Sequence, residues 1–207
     1  MKKIDRNFWE IMHKNNDGVW LTGTDFQKIS MFYNLNGEML KNKSILEIGI
    51  GLGNCAKEFI KHTNNYHCCD ISQSALDKVK NYAKSTFLTH ELKNAEPVDL
   101  AICHLVFVHC ADDEVLRIIN DVNLTENGQL MFQISCFAED YTVNKRVHSD
   151  LIENGSHFFR NMELVKSIID SSNKEVISIT DAWDPGSYLD YDLRQSWHFV
   201  TLVNKKK

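Results

Sequence analysis

Seven runs of apolar and β-branched residues, at about 44–49, 65–70, 85–90, 99–104, 128–135, 175–181 and 196–204, alternate from Ser44 onward with segments of helical period. That alternation is the pattern of βα units laid around a mostly parallel sheet. Helices at 54–62, 73–84, 112–123 and 161–171 fill the intervals; the third opens on Asp112, Asp113 and Glu114, which suit the positive end of a helix. The last two runs, "EVISIT" and "WHFVTLV", are joined by "DAWDPGSYLDYDLRQS", with no room for a long crossover helix. They are expected to pair as an antiparallel hairpin, which makes the sheet mixed. The expectation is an α/β fold: a seven-stranded mixed sheet with helices on both faces and an antiparallel last strand.

With 207 residues, 43% of them hydrophobic and 25% charged, the chain has material for one domain over 1–207 and little for a second. Two segments stand outside the alternation. Residues 1–43 carry Trp9, Trp20, Phe26, Phe32 and Tyr33, and residues 136–160 separate the fifth strand from the next helix. The first is expected to act as a lid and the second as an insertion, both covering the carboxyl ends of the strands, where open α/β sheets bind ligands. A formal net charge of −5 speaks against nucleic acid as a partner, and Lys205, Lys206 and Lys207 read as a solvated tail. No run has the length of a signal peptide or a membrane span, so a cytoplasmic protein, monomer or homodimer, is expected. The six cysteines form no CxxC pair and read as reduced core residues.

The segment "SILEIGIGLGNCAKEF" places Glu47 at the end of the first strand and Gly49, Gly51 and Gly53 in the turn behind it. A strand, a glycine-rich turn and a helix bring backbone N–H groups toward a ligand. The dinucleotide pattern G-x-G-x-x-G/A fails, because Asn54 holds its third place, and no G-K-[ST] follows for a phosphate loop. A carboxylate at the end of "SILEIG" is costly to desolvate alone, so a cationic ligand is an attractive partner for it. With these residues the segment resembles motif I of the class I S-adenosylmethionine-dependent methyltransferases, small bacterial type. In "NYHCCDIS", Asp70 ends the second strand about twenty residues past the glycines, the place of an acid that accepts from ribose hydroxyls; its other reading is an N-cap for the following helix.

The resemblance covers Lys43 to Gln133, implies the Rossmann-like fold of that family, and implies S-adenosyl-L-methionine as cofactor. It assigns the cofactor to Glu47, Gly49, Gly51, Gly53 and Asp70 with Ile71 beside it. Glu91 and Leu92 fall at the adenine edge, with His104 and Trp20 completing the set. Methyl transfer to a hydroxyl needs a base, and His109 and His104, after the fourth strand, are the candidates; a histidine at the place of His109 is common in this family, where packing is its plainer role. Tyr33, His157 and Arg160 are expected to touch the acceptor, the arginine by clamping an anion.

"HLVF" stands where nucleobase amino methylation uses an N-P-P-Y-like turn. His104 also replaces the first acidic ligand of the metal-dependent catechol enzymes, so no metal is expected, although Glu139 and Asp140 keep that idea open. "DGVWLTGTD" resembles small bacterial methyltransferases of surface-polysaccharide decoration, including those linked to capsular O-methyl phosphoramidate. The reading is O-methylation of a small sugar or phosphoryl-type acceptor; the alternatives are a non-catalytic S-adenosylmethionine-binding module and a nicotinamide-dependent oxidoreductase, the latter disfavoured by Asn54.

Overall fold

The computed structural model describes residues 6–15, 26–137, 146–148, 156–158, 160–182 and 195–206. Seven strands form one sheet: β1 (Ile45–Ile48), β2 (Tyr66–Asp70), β3 (Ser85–Leu88), β4 (Val98–Cys103), β5 (Leu124–Phe137), β8 (Lys174–Ala182) and β9 (Gln195–Asn204). Their order is β3-β2-β1-β4-β5-β9-β8. The first five run parallel, and β9 is antiparallel to both β5 and β8, which is the mixed sheet and closing hairpin expected from the short connection. The insertion contributes two short strands that the alternation did not foresee, β6 (Arg146–His148) and β7 (Ser156–Phe158), paired with each other.

The inner parallel strands β1, β2 and β4 are buried on both faces, which is why they read as near-continuous apolar runs, whereas the edge strand β3 is only partly buried. Side chains alternate between two layers. Leu46 and Ile48 of β1 pack toward α6 (Asp112–Asp121) and α7 (Met162–Asp170), through Val115, Ile118, Val165 and Ile169. Ile45 belongs to the opposite layer, with α2 (Phe26–Phe32), α4 (Ala56–Phe59) and α5 (Gln73–Val79), represented by Ile29, Phe59, Leu76 and Val79. By the same period of two, Glu47 faces that second layer, where its hydrogen-bond partner Tyr66 also lies.

Among the described residues before β1 there are three helices, α1 (Arg6–Asn15), α2 and α3 (Gly37–Leu40). Local signals end and start the elements. Asn36 caps α3 and Asn161 caps α7, each side chain accepting the N–H three residues on. All six cysteines are free thiols. Cys55, Cys68, Cys69, Cys103 and Cys136 are buried, and half-buried Cys110 donates its S–H to the Val106 carbonyl at 3.4 Å.

Candidate functional site

The turn after β1 is a run of left-handed backbone: φ is +77° at Gly49, +54° at Gly51 and +75° at Gly53. L-residues avoid that region, and only glycine adopts it without cost. Two of the three glycines are also demanded by close packing. A Cβ on Gly49 would lie 2.2 Å from Val106 Cγ2, and one on Gly53 would lie 2.6 Å from Val79 Cγ1. The Gly49 contact joins the glycine turn to the loop after β4. Gly49→Ala is therefore expected to cost about 2–4 kcal/mol, from the left-handed conformation plus overpacking. Adding Val106→Ala should recover the overpacking part, which denaturant midpoints of the single and double variants measure; additive losses would refute the contact's role.

Glu47 lies under this turn, 6% exposed, and accepts a hydrogen bond from the Tyr66 hydroxyl at 2.6 Å. Burial pushes its carboxyl up to about 8; the Tyr66 hydrogen bond opposes that shift, and the nearby Asp70 adds to it. No cation pairs with Glu47 among the described residues. Beside Glu47 lies a cavity of about 40 Å³, lined by Ile29, Gly49, Cys55, Ile102 and His104 as well.

Asp70 ends β2 and is 3% exposed. Its Oδ2 accepts the Gly51 N–H at 3.2 Å and its Oδ1 the Ser72 N–H at 2.9 Å, so the carboxyl staples the glycine turn to the start of α5. Burial raises it to about 6, against those backbone hydrogen bonds. The N-cap of α5 is Ser72, whose hydroxyl accepts from Ala75 N–H, which removes the cap reading of Asp70. Ile71 is 37% exposed next to it.

The helix α1 lies over this edge and carries, beside Trp9, two residues that sequence reasoning passed over, Glu10 and His13. Glu10 accepts from the Ser72 hydroxyl and from the Ser74 hydroxyl and N–H, and the Ser74 hydroxyl leads the interactions that hold its carboxyl down at about 2. A carboxylate of one helix thus serves the N-terminus of another. His13 is 3% exposed, with Nδ1 3.9 Å from Asp70 Oδ1. Burial, aided by Lys78, lowers His13 to about 4, so at neutral pH this is a contact between a neutral ring and a carboxyl, not an ion pair. Trp9 stacks on His13 and meets His109 edge-on, with centroids 5.0 Å apart for the second pair. The signal in the sequence was the spacing: Trp9 and His13 are one helical turn apart, with Glu10 adjacent.

Beyond β4 the chain passes through Leu105, a non-glycine residue at φ +56°, into a 3₁₀ turn over Phe107–His109. Arg160 holds that turn. It is 1% exposed and donates from Nε to Asp112 Oδ1 at 2.7 Å, from Nη1 to the Phe107 carbonyl at 3.0 Å and from Nη2 to the Cys110 carbonyl at 2.6 Å. The expectation that Arg160 clamps an anionic acceptor is corrected: its guanidinium is buried and engaged by the protein. His104 sits among Phe32, Tyr33 and Phe199, its Nδ1 3.2 Å from the Tyr33 hydroxyl, and burial lowers it to about 4. Tyr33 is 6% exposed, its hydroxyl turned to His104.

The adenine-edge pair divides. Leu92 is fully buried, and its side chain belongs to the core rather than to a ligand surface; Glu91 is exposed and accepts the Leu88 N–H at the start of the 3₁₀ turn Thr89–Asn94. The backbone of His157 is in β7, but its side chain, like Trp20, Glu139 and Asp140, lies outside what is described. Among the described residues no group of three or more potential ligands could hold a metal, and no helix is long and apolar enough to cross a membrane.

Residues 46–130 match a family model described as a methyltransferase domain. No curated protein matches the chain. Among solved structures, an S-adenosylmethionine-dependent methyltransferase from Clostridium acetobutylicum is 14% identical, with 94% of this chain and 97% of that one covered at a TM-score of 0.60. The N-methyltransferase NodS from Bradyrhizobium japonicum, in complex with S-adenosyl-L-homocysteine, is 12% identical over 99% and 100% of the two chains, TM-score 0.63. The 1,6-didemethyltoxoflavin-N1-methyltransferase of Burkholderia thailandensis, with that substrate and S-adenosylhomocysteine bound, is 10% identical over 97% and 87%, TM-score 0.69. The stretch from β1 into β5 is thus similar to a methyltransferase domain, and the chain has the Rossmann-like fold seen in S-adenosylmethionine-dependent methyltransferases.

Proposed function

We propose that the protein is a cytoplasmic S-adenosylmethionine-dependent methyltransferase, monomer or homodimer. Its acceptor is a small sugar or phosphoryl-type molecule of surface-polysaccharide or capsule biosynthesis, methylated on oxygen. The observation that carries the cofactor reading is Glu47, a buried carboxyl with a hydroxyl partner and no cation among the described residues, under a turn of three glycines with left-handed backbone. The matched methyltransferase domain supports the reaction class, and the formal charge of −5 favours a small acceptor over nucleic acid.

S-adenosylmethionine, when bound, supplies a methyl group on a sulfonium, ready for in-line displacement. Glu47 would pair with its ammonium, Asp70 would accept from its ribose hydroxyls, and the exposed face of Ile71 would lie against adenine. Glu91 would do no more than shape that edge. A cavity of about 40 Å³ holds a water, whereas a ligand of this size needs roughly 300 Å³ or more. The N-terminal 43 residues are the lid, and α1 and α2 part from the strand ends when the site fills. Trp20 and His157 fall on the covering segments and would face the cofactor and the acceptor. With water excluded, His109 takes the acceptor's proton while the fold holds the nucleophile in line.

Titration with S-adenosylmethionine, S-adenosylhomocysteine and NAD tests this, with binding of the first two expected; binding of NAD alone overturns it. The pH dependence is a sharper test. In the free protein Glu47 is protonated below about 8, and an ammonium ligand favours its ionised form. Affinity for S-adenosylmethionine should therefore climb, by up to about tenfold per pH unit, between pH 6 and 8, then fall as the ligand's α-amino group deprotonates near ~8. The same raised value implies that Glu47 withdraws stability from the free protein as pH rises from the usual carboxyl range toward 8. Glu47→Gln should abolish both trends, as calorimetry and thermal midpoints across that range would show; an unchanged pH slope in the variant assigns the effect elsewhere.

A further inference from the structure

Buried Tyr33 and half-buried His104 form a pair whose protons can be counted. The Tyr33 hydroxyl has one hydrogen-bond partner among the described residues, His104 Nδ1 at 3.2 Å. A hydroxyl carries one proton and needs an acceptor for it when buried, and Tyr33 is 6% exposed. If Nδ1 carried the ring proton and donated to Tyr33, the phenol proton would be left without an acceptor. The phenol therefore donates, Nδ1 accepts, and in the neutral imidazole the ring proton sits on Nε2. His104 is neutral here, because its aromatic surroundings lower it to about 4. The ring cannot easily swap ends, because Phe32 and Phe199 stack on it. It lines the same cavity as Glu47 and Gly49.

We infer that Tyr33 is a positioning residue that fixes His104 with its proton on Nε2, so that His104 presents a hydrogen-bond donor, and not a base, to an anionic oxygen bound in the cavity beside Glu47. The inference rests on the cofactor reading above and deepens it. A neutral ring whose one basic nitrogen is already engaged by a phenol has no lone pair to offer an acceptor's hydroxyl proton. It can instead hold a carboxylate or phosphoryl oxygen in place, as a charge-assisted hydrogen bond. That oxygen has two possible sources, the carboxylate of the cofactor's amino-acid end or an anionic group on the acceptor. Either assignment removes His104 from the base candidates and leaves His109.

Long-range ¹H–¹⁵N correlation spectra of the full-length ¹⁵N-labelled protein at pH 7.5 test the inference without any ligand. The expected pattern for His104, assigned by its loss in His104→Asn, is that of a neutral ring protonated at Nε2; Tyr33→Phe should turn it into a mixture of tautomers. A ring protonated at Nδ1 in the wild type, or a pattern unchanged by Tyr33→Phe, overturns the assignment whatever the cofactor proves to be. The source of the oxygen is read in a second step. A downfield move of the Nε2–H resonance on saturation with S-adenosylhomocysteine assigns the cofactor's carboxylate. A move that needs acetate added to the S-adenosylhomocysteine-loaded protein assigns an acceptor oxygen. An unmoved resonance under both additions overturns the donor role. S-adenosylhomocysteine binding is followed separately by calorimetry, so its absence would count against the cofactor reading while leaving the tautomer result standing.

Discussion

Arg160→Ala is expected to destabilise the protein by about 3–5 kcal/mol, the cost of removing one partner from a buried charged network. The guanidinium is 1% exposed and three of its N–H groups are committed, to Asp112 and to the carbonyls of Phe107 and Cys110. Asp112 is half-exposed and can turn to water, so most of the loss comes from the two carbonyls, each orphaned at about 1–3 kcal/mol, and from the hole left behind. Arg160→Lys should recover little, because an ammonium cannot span the three directions that the planar fork reaches. The loss should be visible as a lower denaturant midpoint with an unchanged slope. A loss below about 1 kcal/mol would mean that the turn is held by other contacts.

His109→Ala is expected to lower turnover ~10²–10⁴-fold while leaving S-adenosylmethionine affinity and thermal midpoint close to wild type. The ring stands on the 3₁₀ turn after β4, half-buried, with Trp9 of α1 against its edge. If it takes the acceptor's proton, the variant also loses the acidic limb that an imidazole base gives the rate profile. Turnover like the wild type's would sink the assignment and leave alignment and water exclusion as the source of rate, which is sufficient for an acceptor already anionic. Stability falling in step with activity would instead make His109 a packing partner of Trp9, and Trp9→Ala would then reproduce the defect.

The sheet was legible because buried parallel strands must be apolar along their whole length. All seven runs that begin at Ser44 became strands of the one sheet, and the short "DAWDPGSYLDYDLRQS" connection correctly required an antiparallel closing pair. Glu47 and the glycines were legible for a related reason: a carboxyl inside an apolar run and three glycines behind it violate local rules, and such violations mark sites. The glycines, however, answer partly to Val106 and Val79, which no local pattern reveals. Arg160 was misread because "HFFR" gives no hint that a charged residue will be enclosed; the carbonyls that enclose it come from a turn about fifty residues earlier. Glu10 and His13 were missed because their partners, Ser72, Ser74 and Asp70, lie about sixty residues away, across a contact between α1 and α5 that the helix's own sequence does not specify.

The five enclosed thiols, with Cys68 and Cys69 on β2, Cys103 on β4 and Cys136 on β5, give the molecule a built-in clock for its own opening. Burial raises the thiols of Cys68, Cys69 and Cys103 far above their usual range, and Cys110, on the loop after β4, is pushed up to about 12. Thiolate is the form that electrophiles attack, so none of these groups reacts at an appreciable rate while the sheet is intact. Alkylation of Cys110 then times the local breathing of the loop that carries His109, and alkylation of the strand cysteines times separation of the strands themselves. One reagent, followed by mass, resolves the two motions without any label or substitution.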